Sequence, residues 1–205
     1  MGISSFIVEN RQALSKQDCE KIIDFFESSK KHHEKGRVGG ADWTVDPQLK
    51  ASTDMYCNFN SSNFVGDKNK GEDKINLELL KAVCDTSVIY KETYPQTTTL
   101  TQWQVRTGYN LQKYEPLQGY FQEHCEHDSF DSPRVMVWMI YLNDVEDGGT
   151  HFPYQDMLVK AEQGKCVMWP AYFTHMHRGQ PSFRNTKYIA TGWFVYSAGC
   201  TMERE

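Results

Sequence analysis

The sequence predicts a mainly β fold with buttressing helices, whose strands form a double-stranded β-helix, or jelly roll. Two helical patterns come first, and short strands separated by turn residues follow from about residue 99. One of these strands is apolar on both faces, as expected for a barrel wall covered by helices. A chain of 205 residues suits one domain. We therefore expect a single domain over 1–205, with helical support over about 1–95 and a jelly-roll core over about 99–198.

Two helices are predicted in the N-terminal support. Residues 16–29 show three- and four-residue spacing of their inward positions, and Ser15 precedes them as a candidate N-cap. Residues from about 76 to 93 show the same spacing, which Tyr94-Pro95 ends. The polar, glycine-containing residues 30–74 between them are expected to form loops and a short strand or two. The inward positions are Cys19, Ile22, Ile23 and Phe26 in the first helix and Leu79, Val83, Thr86 and Tyr90 in the second.

The second half of the chain is predicted to consist of short strands joined by turns. Residues 135–142 are apolar in both alternating sets, which is typical of a strand buried on both faces. The clearest strands are 101–106, 135–142, 165–169 and 187–196. The predicted turns are Asn143-Asp144, Asp147-Gly148-Gly149 and Arg178-Gly179-Gln180-Pro181.

Composition and charge exclude several classes of protein. The net charge of -5 argues against a nucleic-acid partner, because phosphate binding needs a basic face. No run of about 18 apolar residues is present, so no membrane partner is expected. The six cysteines are scattered without a Cys-x-x-Cys pair, and no secretory signal precedes them, so we expect free thiols and a cytoplasmic protein. Nothing in the sequence determines the oligomeric state.

Two segments carry candidate metal ligands. His124 and Glu126 are two residues apart, so on an extended chain both side chains point the same way. A His-x-carboxylate pair with one distant histidine is the facial triad that binds iron(II) and leaves positions open for a cosubstrate and dioxygen. Such a pair alone is a weak signal, because this spacing is common by chance. Residues 169–181 offer two candidates for the third ligand, His175 and His177.

Lys187 is a single cation in the otherwise apolar run 187–193. Burying an ammonium group is costly unless an anion meets it. A dicarboxylate cosubstrate that chelates the metal with one end would present such an anion with the other.

The chain from Tyr114 to Trp193 resembles the prolyl 4-hydroxylase branch of the 2-oxoglutarate- and iron(II)-dependent oxygenases, especially the small bacterial and phage-borne members. The helical segment 19–26 also resembles the opening of that family. The ordered motifs are Lys113-Tyr114, His124-x-Glu126, Tyr141-Leu142-Asn143-Asp144-Val145, Gly148-Gly149-Thr150-His151-Phe152-Pro153, His177-x-Gly-x-Pro, Lys187 and Trp193.

The resemblance implies a role for each matching residue. His124, Glu126 and His177 would bind Fe(II); His177 is preferred to His175 because it precedes Gly-x-Pro and lies ten residues before the basic residue. Lys187 would pair with the distal carboxylate of 2-oxoglutarate. The three aromatic residues with implied roles are Tyr141, donating to the same carboxylate, Tyr114, lining the cosubstrate pocket, and Trp193, forming a wall near the metal.

The resemblance also implies an activity, the hydroxylation of a C–H bond, with a proline in a peptide or protein as the first candidate substrate. Ascorbate is a further candidate, as reductant. The pattern usually has Asp where this chain has Glu126, so the substrate is carried over less directly than the metal site. The alternatives are a hydroxylase of a free amino acid or another small molecule, and a non-catalytic metal-binding module of the same fold. A cupin-like metal protein without 2-oxoglutarate would leave Lys187 without a purpose.

Overall fold

A computed structural model describes residues 4–39, 44–60, 70–99, 102–127 and 133–197, with the backbone alone for 70–73. The helices are α1 (Lys16–Ser28) and α2 (Lys70–Thr93). The strands are β1 (Val8–Asn10), β2 (Glu34–Lys35), β3 (Thr53–Asn58), β4 (Trp103–Tyr114), β5 (Arg134–Tyr141), β6 (Val145–Phe152), β7 (Met157–Ala161), β8 (Cys166–Pro170), β9 (Arg178–Gly179) and β10 (Lys187–Tyr196). Short 3-10 helices cover Lys30–His32, Pro95–Thr99, Pro153–Gln155 and Phe173–His175.

The strands form two antiparallel sheets. The larger has seven strands in the order β1-β8-β5-β10-β4-β3-β2, and the smaller has the order β7-β6-β9. At the centre of the larger sheet, β10 pairs with both β4 and β5, although β4 lies more than seventy residues earlier in the chain. This architecture confirms the predicted jelly roll with supporting helices.

Both predicted helices are present and bury the predicted face. The Ser15 hydroxyl caps α1 by accepting from the amide of Asp18 at 3.1 Å, which satisfies one of the free donors at the helix start. Helix α2 begins at Lys70, earlier than predicted, and packs against β1, β8 and α1. The buried positions of the two helices include Cys19, Ile22 and Phe26 in α1 and Leu79, Val83, Thr86 and Tyr90 in α2.

The position of β5 between two apolar clusters explains why its sequence is apolar throughout. Trp138 and Ile140 point toward the cluster that contains the buried faces of α1 and α2. Val137, Met139 and Tyr141 point to the opposite face, into a second cluster inside the barrel. Because successive side chains of a strand alternate between its faces, one apolar run serves both cores.

Three predictions about the strands were wrong. Gly148 and Gly149 lie inside β6, not in a turn. A Cβ atom at Gly149 would lie 2.5 Å from the Val159 carbonyl oxygen of β7, so glycine here permits close backbone approach. Arg178–Gly179 likewise forms a strand where a turn was predicted. Strand β4 continues to Tyr114, well beyond the predicted end at 106, while Thr101 lies outside the described residues.

The remaining composition-based predictions concern thiols and membranes. The five cysteines in the described ranges form no disulfide with one another, while Cys200 lies outside those ranges. Among the described helices, none is both long and apolar enough to cross a bilayer.

Candidate active site

A cavity of about 930 Å³ opens on the inner face of the larger sheet. Its walls come from alternate residues of the central strands, so one face of each strand is turned toward it. The segment from Tyr120 to Glu126 and the residues around His177 cover one side. The sheet residues that line it are Glu34 and Lys35 of β2, Asp54, Tyr56 and Asn58 of β3, Arg106, Gly108, Asn110, Gln112 and Tyr114 of β4, Arg134, Met139 and Tyr141 of β5, Thr150 of β6, Trp169 of β8, Gly179 of β9, and Lys187, Ile189, Thr191 and Trp193 of β10.

His124 and His177 are joined through their backbones. They form an isolated antiparallel bridge, in which each amide donates to the other's carbonyl, at N–O distances of 3.0 and 2.9 Å. His124 therefore does not lie on a regular strand, although the chain is extended enough for Glu126 to reach the same point. One ligand atom from each of His124, Glu126 and His177 lies within 4.8 Å of the others.

The two imidazoles are held in one tautomer. Nδ1 of His124 lies 2.9 Å from the carbonyl oxygen of Gln122, and Nδ1 of His177 lies 2.9 Å from that of His175. A carbonyl oxygen can only accept, so each Nδ1 carries a proton, and Nε2 is the ring nitrogen left to bind a metal. Both Nε2 atoms then face the Glu126 carboxylate, which is the orientation that a metal ligand requires.

The two oxygens of Glu126 have different partners. Oε1 lies 3.5 Å from Nε2 of His124 and 3.6 Å from Nε2 of His177. Oε2 accepts from the Trp193 indole at 2.9 Å and from Arg134 at 3.3 Å. Burial raises the pKa of Glu126, but the interactions with His124 and His177 outweigh it and hold the pKa well below the ordinary value. The carboxylate is thus ionised, with one oxygen turned toward the imidazoles.

His175 takes no part in this cluster. It ends the 3-10 helix Phe173–His175, where its Nε2 donates to the carbonyl of Ser5 at 2.9 Å. Its Nδ1 is paired with the Thr174 hydroxyl, also at 2.9 Å. Both ring nitrogens are therefore used in tying this segment to the N-terminal residues, and of the two candidate histidines only His177 reaches Glu126.

Lys187 lies in the same cavity and is only 3% exposed. Its ammonium donates to the carbonyls of Gly148 at 2.9 Å and Gln180 at 2.7 Å. An ammonium has three N–H donors, and within the described residues the third has no acceptor and no carboxylate lies within salt-bridge distance. Burial lowers the pKa of Lys187 to about 8, although the charge of Asp147 acts in the opposite direction.

The three predicted aromatic residues also line the cavity. The Tyr141 hydroxyl is paired with that of Thr150 at 2.6 Å, and the Tyr114 hydroxyl donates to the Gln112 side chain at 2.8 Å. Lys187 Nζ lies 5.1 Å from the centre of the Tyr114 ring. Trp193 stands beside the carboxylate of Glu126, as its hydrogen bond shows.

Sequence reasoning missed two side chains that complete the cluster. Arg134, at the start of β5, donates to both the backbone carbonyl and the carboxylate of Glu126, and its guanidinium lies 4.0 Å from the centre of the Trp193 ring. Tyr120 stacks on the His124 ring with centroids 3.6 Å apart. Arg134 could have been noticed because it is a charged residue directly before the wholly apolar run 135–142. No feature of the sequence pointed to Tyr120.

These residues fit an iron(II) ion with 2-oxoglutarate. Two neutral imidazoles and one carboxylate, all on one side of a point, match the facial donor set of non-haem iron. The buried Lys187 has a donor to offer an anion in the same cavity. A further buried donor, the indole N–H of Trp169, has no partner within the described parts of the chain, and its ring packs against that of His177 with centroids 5.0 Å apart.

Comparison with known proteins agrees with this arrangement. Residues 109–195 match the family model of the 2OG-Fe(II) oxygenase superfamily. No curated protein sequence matches the chain significantly. Among solved structures, a viral collagen prolyl hydroxylase from Paramecium Bursaria Chlorella virus-1, in complex with 2OG, shares the fold with a TM-score of 0.68 and 17% identity, over 95% of this chain and 98% of that one.

Two further prolyl hydroxylases share the fold. A prolyl-4-hydroxylase from Pseudomonas putida has a TM-score of 0.66 and 14% identity over 94% of this chain and 93% of its own. A prolyl hydroxylase from Trichoplax adhaerens, solved with a hypoxia inducible factor peptide fragment, gives the same score and identity over 94% and 84%. The family match covers residues 109–195, less than half of the chain, and this stretch contains the three predicted metal ligands, His124, Glu126 and His177. In its fold, the chain is similar to prolyl hydroxylases.

Proposed function

We propose that this chain is a 2-oxoglutarate- and Fe(II)-dependent hydroxylase in which His124, Glu126 and His177 bind the iron and Lys187 binds the distal carboxylate of 2-oxoglutarate. One observation carries the proposal. The Nε2 atoms of two histidines and one carboxylate oxygen converge in a cavity that also contains a buried ammonium with an unused donor. When bound, iron and 2-oxoglutarate supply the activation of dioxygen that hydroxylation of a C–H bond requires.

The charges of the site suit a dianion. Two neutral imidazoles and one carboxylate leave a net single positive charge on an iron(II) centre, and Lys187 adds a second. Together they balance the two carboxylates of 2-oxoglutarate. Backbone carbonyls fix the orientations of the His124 and His177 rings, which favours metal binding because no rotation of the rings is needed.

The other residues of the cavity would orient the cosubstrate and exclude water. The Tyr141 hydroxyl, now paired with Thr150, would donate to the carboxylate that Lys187 binds. Tyr114 would pack along the cosubstrate. Trp193 and Arg134 would hold the second oxygen of Glu126, so that the first remains directed at the metal.

For the substrate we propose a proline in a peptide or protein, acted on by a single domain that spans the chain. The fold shared with three solved prolyl hydroxylases supports this, and so does a cavity that extends across the sheet to the polar residues of β3 and β4. A free amino acid is the second candidate, because the same cavity has room for a small molecule. Ascorbate is proposed as the reductant that maintains the ferrous state.

The test compares His177→Ala with His175→Gln. In the wild type we expect one Mn(II) or Fe(II) ion per chain and succinate formed from 2-oxoglutarate. His177→Ala should lose both, because a donor atom is removed, whereas His175→Gln should retain both. Unchanged metal binding and turnover in His177→Ala would contradict the proposal. Metal binding by the wild type without turnover, on proline peptides or amino acids, would favour a non-catalytic module.

A further inference from the structure

The inner face of the larger sheet changes from apolar to polar at β4. Beneath the cluster of His124, Glu126 and His177 the cavity is lined by apolar side chains of the central strands, such as Met139 and Ile189. Toward the sheet edge the lining becomes polar and more exposed. The polar side chains on that part of the face are Tyr56 and Asn58 of β3 and Arg106, Asn110 and Gln112 of β4. These side chains are separate from the residues proposed above to hold the metal and 2-oxoglutarate.

The cavity is basic although the chain is acidic. Among its described lining residues, seven are Lys or Arg and three are Asp or Glu, while the whole chain has a net charge of -5. All three lining acids already have partners. Glu126 pairs with Arg134 at 3.3 Å, Asp54 with Lys50 at 2.6 Å and Glu34 with Arg37 at 4.0 Å.

Three lining cations outside the 2-oxoglutarate site are left without a carboxylate partner in the described ranges: Lys31, Lys35 and Arg106. We call these three residues the basic rim. Lys31 and Lys35 come from the segment between α1 and β3, and Arg106 from β4, so two separate parts of the fold bring positive charge to one opening. A rim of unpaired cations around a cavity attracts anionic ligands.

Arg106, a member of the basic rim, lies beside an aromatic residue of the proposed active site. Its guanidinium lies 5.8 Å from the centre of the Trp193 ring, and the indole of Trp193 donates to Glu126. A single aromatic side chain thus separates Arg106 from the proposed metal site. A guanidinium resting on an aromatic ring keeps its N–H edge free for a bidentate bond to a carboxylate.

We propose that the substrate is a peptide with acidic residues beside the hydroxylated position, and that Arg106 is a specificity residue pairing with one of those carboxylates. This inference rests on the proposed function and names its substrate class. Asn58 and Asn110 on the same face can hydrogen-bond to peptide groups of an extended segment. The overall negative charge of the chain disfavours a long polyanion, whereas a short acidic segment meets only the basic rim.

The test measures binding of fluorescent peptides to the full chain by anisotropy, without added metal and again with Mn(II) and 2-oxoglutarate. The peptides contain one proline flanked by Glu, by Gln or by Lys. We expect the Glu peptide to bind about 3- to 10-fold more tightly than the Gln peptide at low salt, since a partly exposed bidentate pair contributes modestly. Added salt should reduce that preference.

Substitutions of Arg106 test whether this residue causes the preference for the Glu peptide over the Gln peptide. Arg106→Gln should remove most of it, Arg106→Lys should retain part of it, and Arg106→Glu should favour the Lys peptide instead. Arg11→Gln is the matched control, because Arg11 is exposed in the turn after β1 and does not line the cavity. Thermal unfolding checks that each variant is folded.

Three results would overturn the inference: equal binding of the Glu and Gln peptides, equal behaviour of Arg106→Gln and Arg11→Gln, or tighter binding of a single-stranded oligonucleotide than of the Glu peptide. Competition by free glutamate at the same affinity would also overturn it, in favour of a small-molecule carboxylate. Succinate formation without peptide, and its loss in His177→Ala, tests the proposed function separately, so the two can fail independently.

Discussion

The ammonium of Lys187 is held in a setting that favours its neutral form. Burial brings its pKa to about 8, from an ordinary value of 10.5. The charged form, which a carboxylate requires, therefore predominates below about pH 8 and is lost as the pH rises through that value. Because the group is buried, its loss of charge is felt directly by any anion in the cavity.

We predict that the Kd for 2-oxoglutarate, measured by calorimetry on the metal-loaded protein, rises as the pH increases from 7 to 9.5. The carboxylates of the ligand stay ionised over that range, so the change reports the protein. Lys187→Arg is the control: a guanidinium stays charged, so the Kd of that variant for 2-oxoglutarate should not change with pH over this range. A flat profile in the wild type would refute the assignment.

Trp193 contributes through the hydrogen bond from its indole to Glu126. Trp193→Phe removes that donor and keeps an aromatic wall, so the carboxylate loses one of the two groups that hold its outer oxygen. We predict a fall in Mn(II) affinity of about tenfold, as is usual when a partner of a metal ligand is removed. Titration followed by electron paramagnetic resonance measures it. An unchanged affinity would show that Arg134 alone positions Glu126.

At the scale of elements, β6 depends on Gly149 where its backbone approaches β7. Gly149→Ala would place a Cβ 2.5 Å from the carbonyl oxygen of Val159, and because the obstacle is backbone it cannot rotate away. We predict a loss of about 1–3 kcal/mol in the free energy of unfolding, measured by urea denaturation. Gly179→Ala is the control for stability, because its Cβ would meet nothing nearer than 3.7 Å. Equal stability of the two variants would contradict this account of β6.

The strands show which features of the fold sequence patterns could predict and which they could not. The bounds of β10 and the two-sided burial of β5 follow from apolar side chains within a few residues of each other. Gly148-Gly149 has the composition of a turn, and only the neighbouring backbone of β7 explains it as a strand. Strand β4 was predicted too short because Thr107-Gly108 interrupts the apolar positions after Val105, although the alternation resumes with Tyr109 and Leu111.

In the candidate site, too, features set by local spacing could be predicted and features set by distant contacts could not. His124 and Glu126 could be paired from their spacing, because two-residue periodicity is local. The preference for His177 over His175 came from the family motif. The chemistry of the two residues could not decide it, since His175 is kept away by a 3-10 helix and by a hydrogen bond to Ser5, far away in the chain. Arg134 was missed for a similar reason: its partners, Glu126 and Trp193, are brought to it by the fold.

For the whole molecule, stability depends on the contact between the larger sheet and α2. Leu79 of α2 is fully buried, with 0% exposure, whereas Leu77 two residues earlier is 64% exposed. We predict that Leu79→Ala lowers the free energy of unfolding by about 2–5 kcal/mol, from lost burial and the cavity left behind. Leu77→Ala should change it by no more than about 0.5 kcal/mol. Urea denaturation of both variants measures the difference, and similar losses would contradict this packing.

The bridge between His124 and His177 has a consequence for how the ion is acquired. Reciprocal amide-to-carbonyl bonds fasten the two loops together through the backbone, so the joining of the two loops does not depend on a bond to the metal. Capture and release of the ion are then local exchanges with solvent. A chelator should remove the ion and leave the barrel folded, in contrast to small zinc domains, which unfold when their ion is withdrawn.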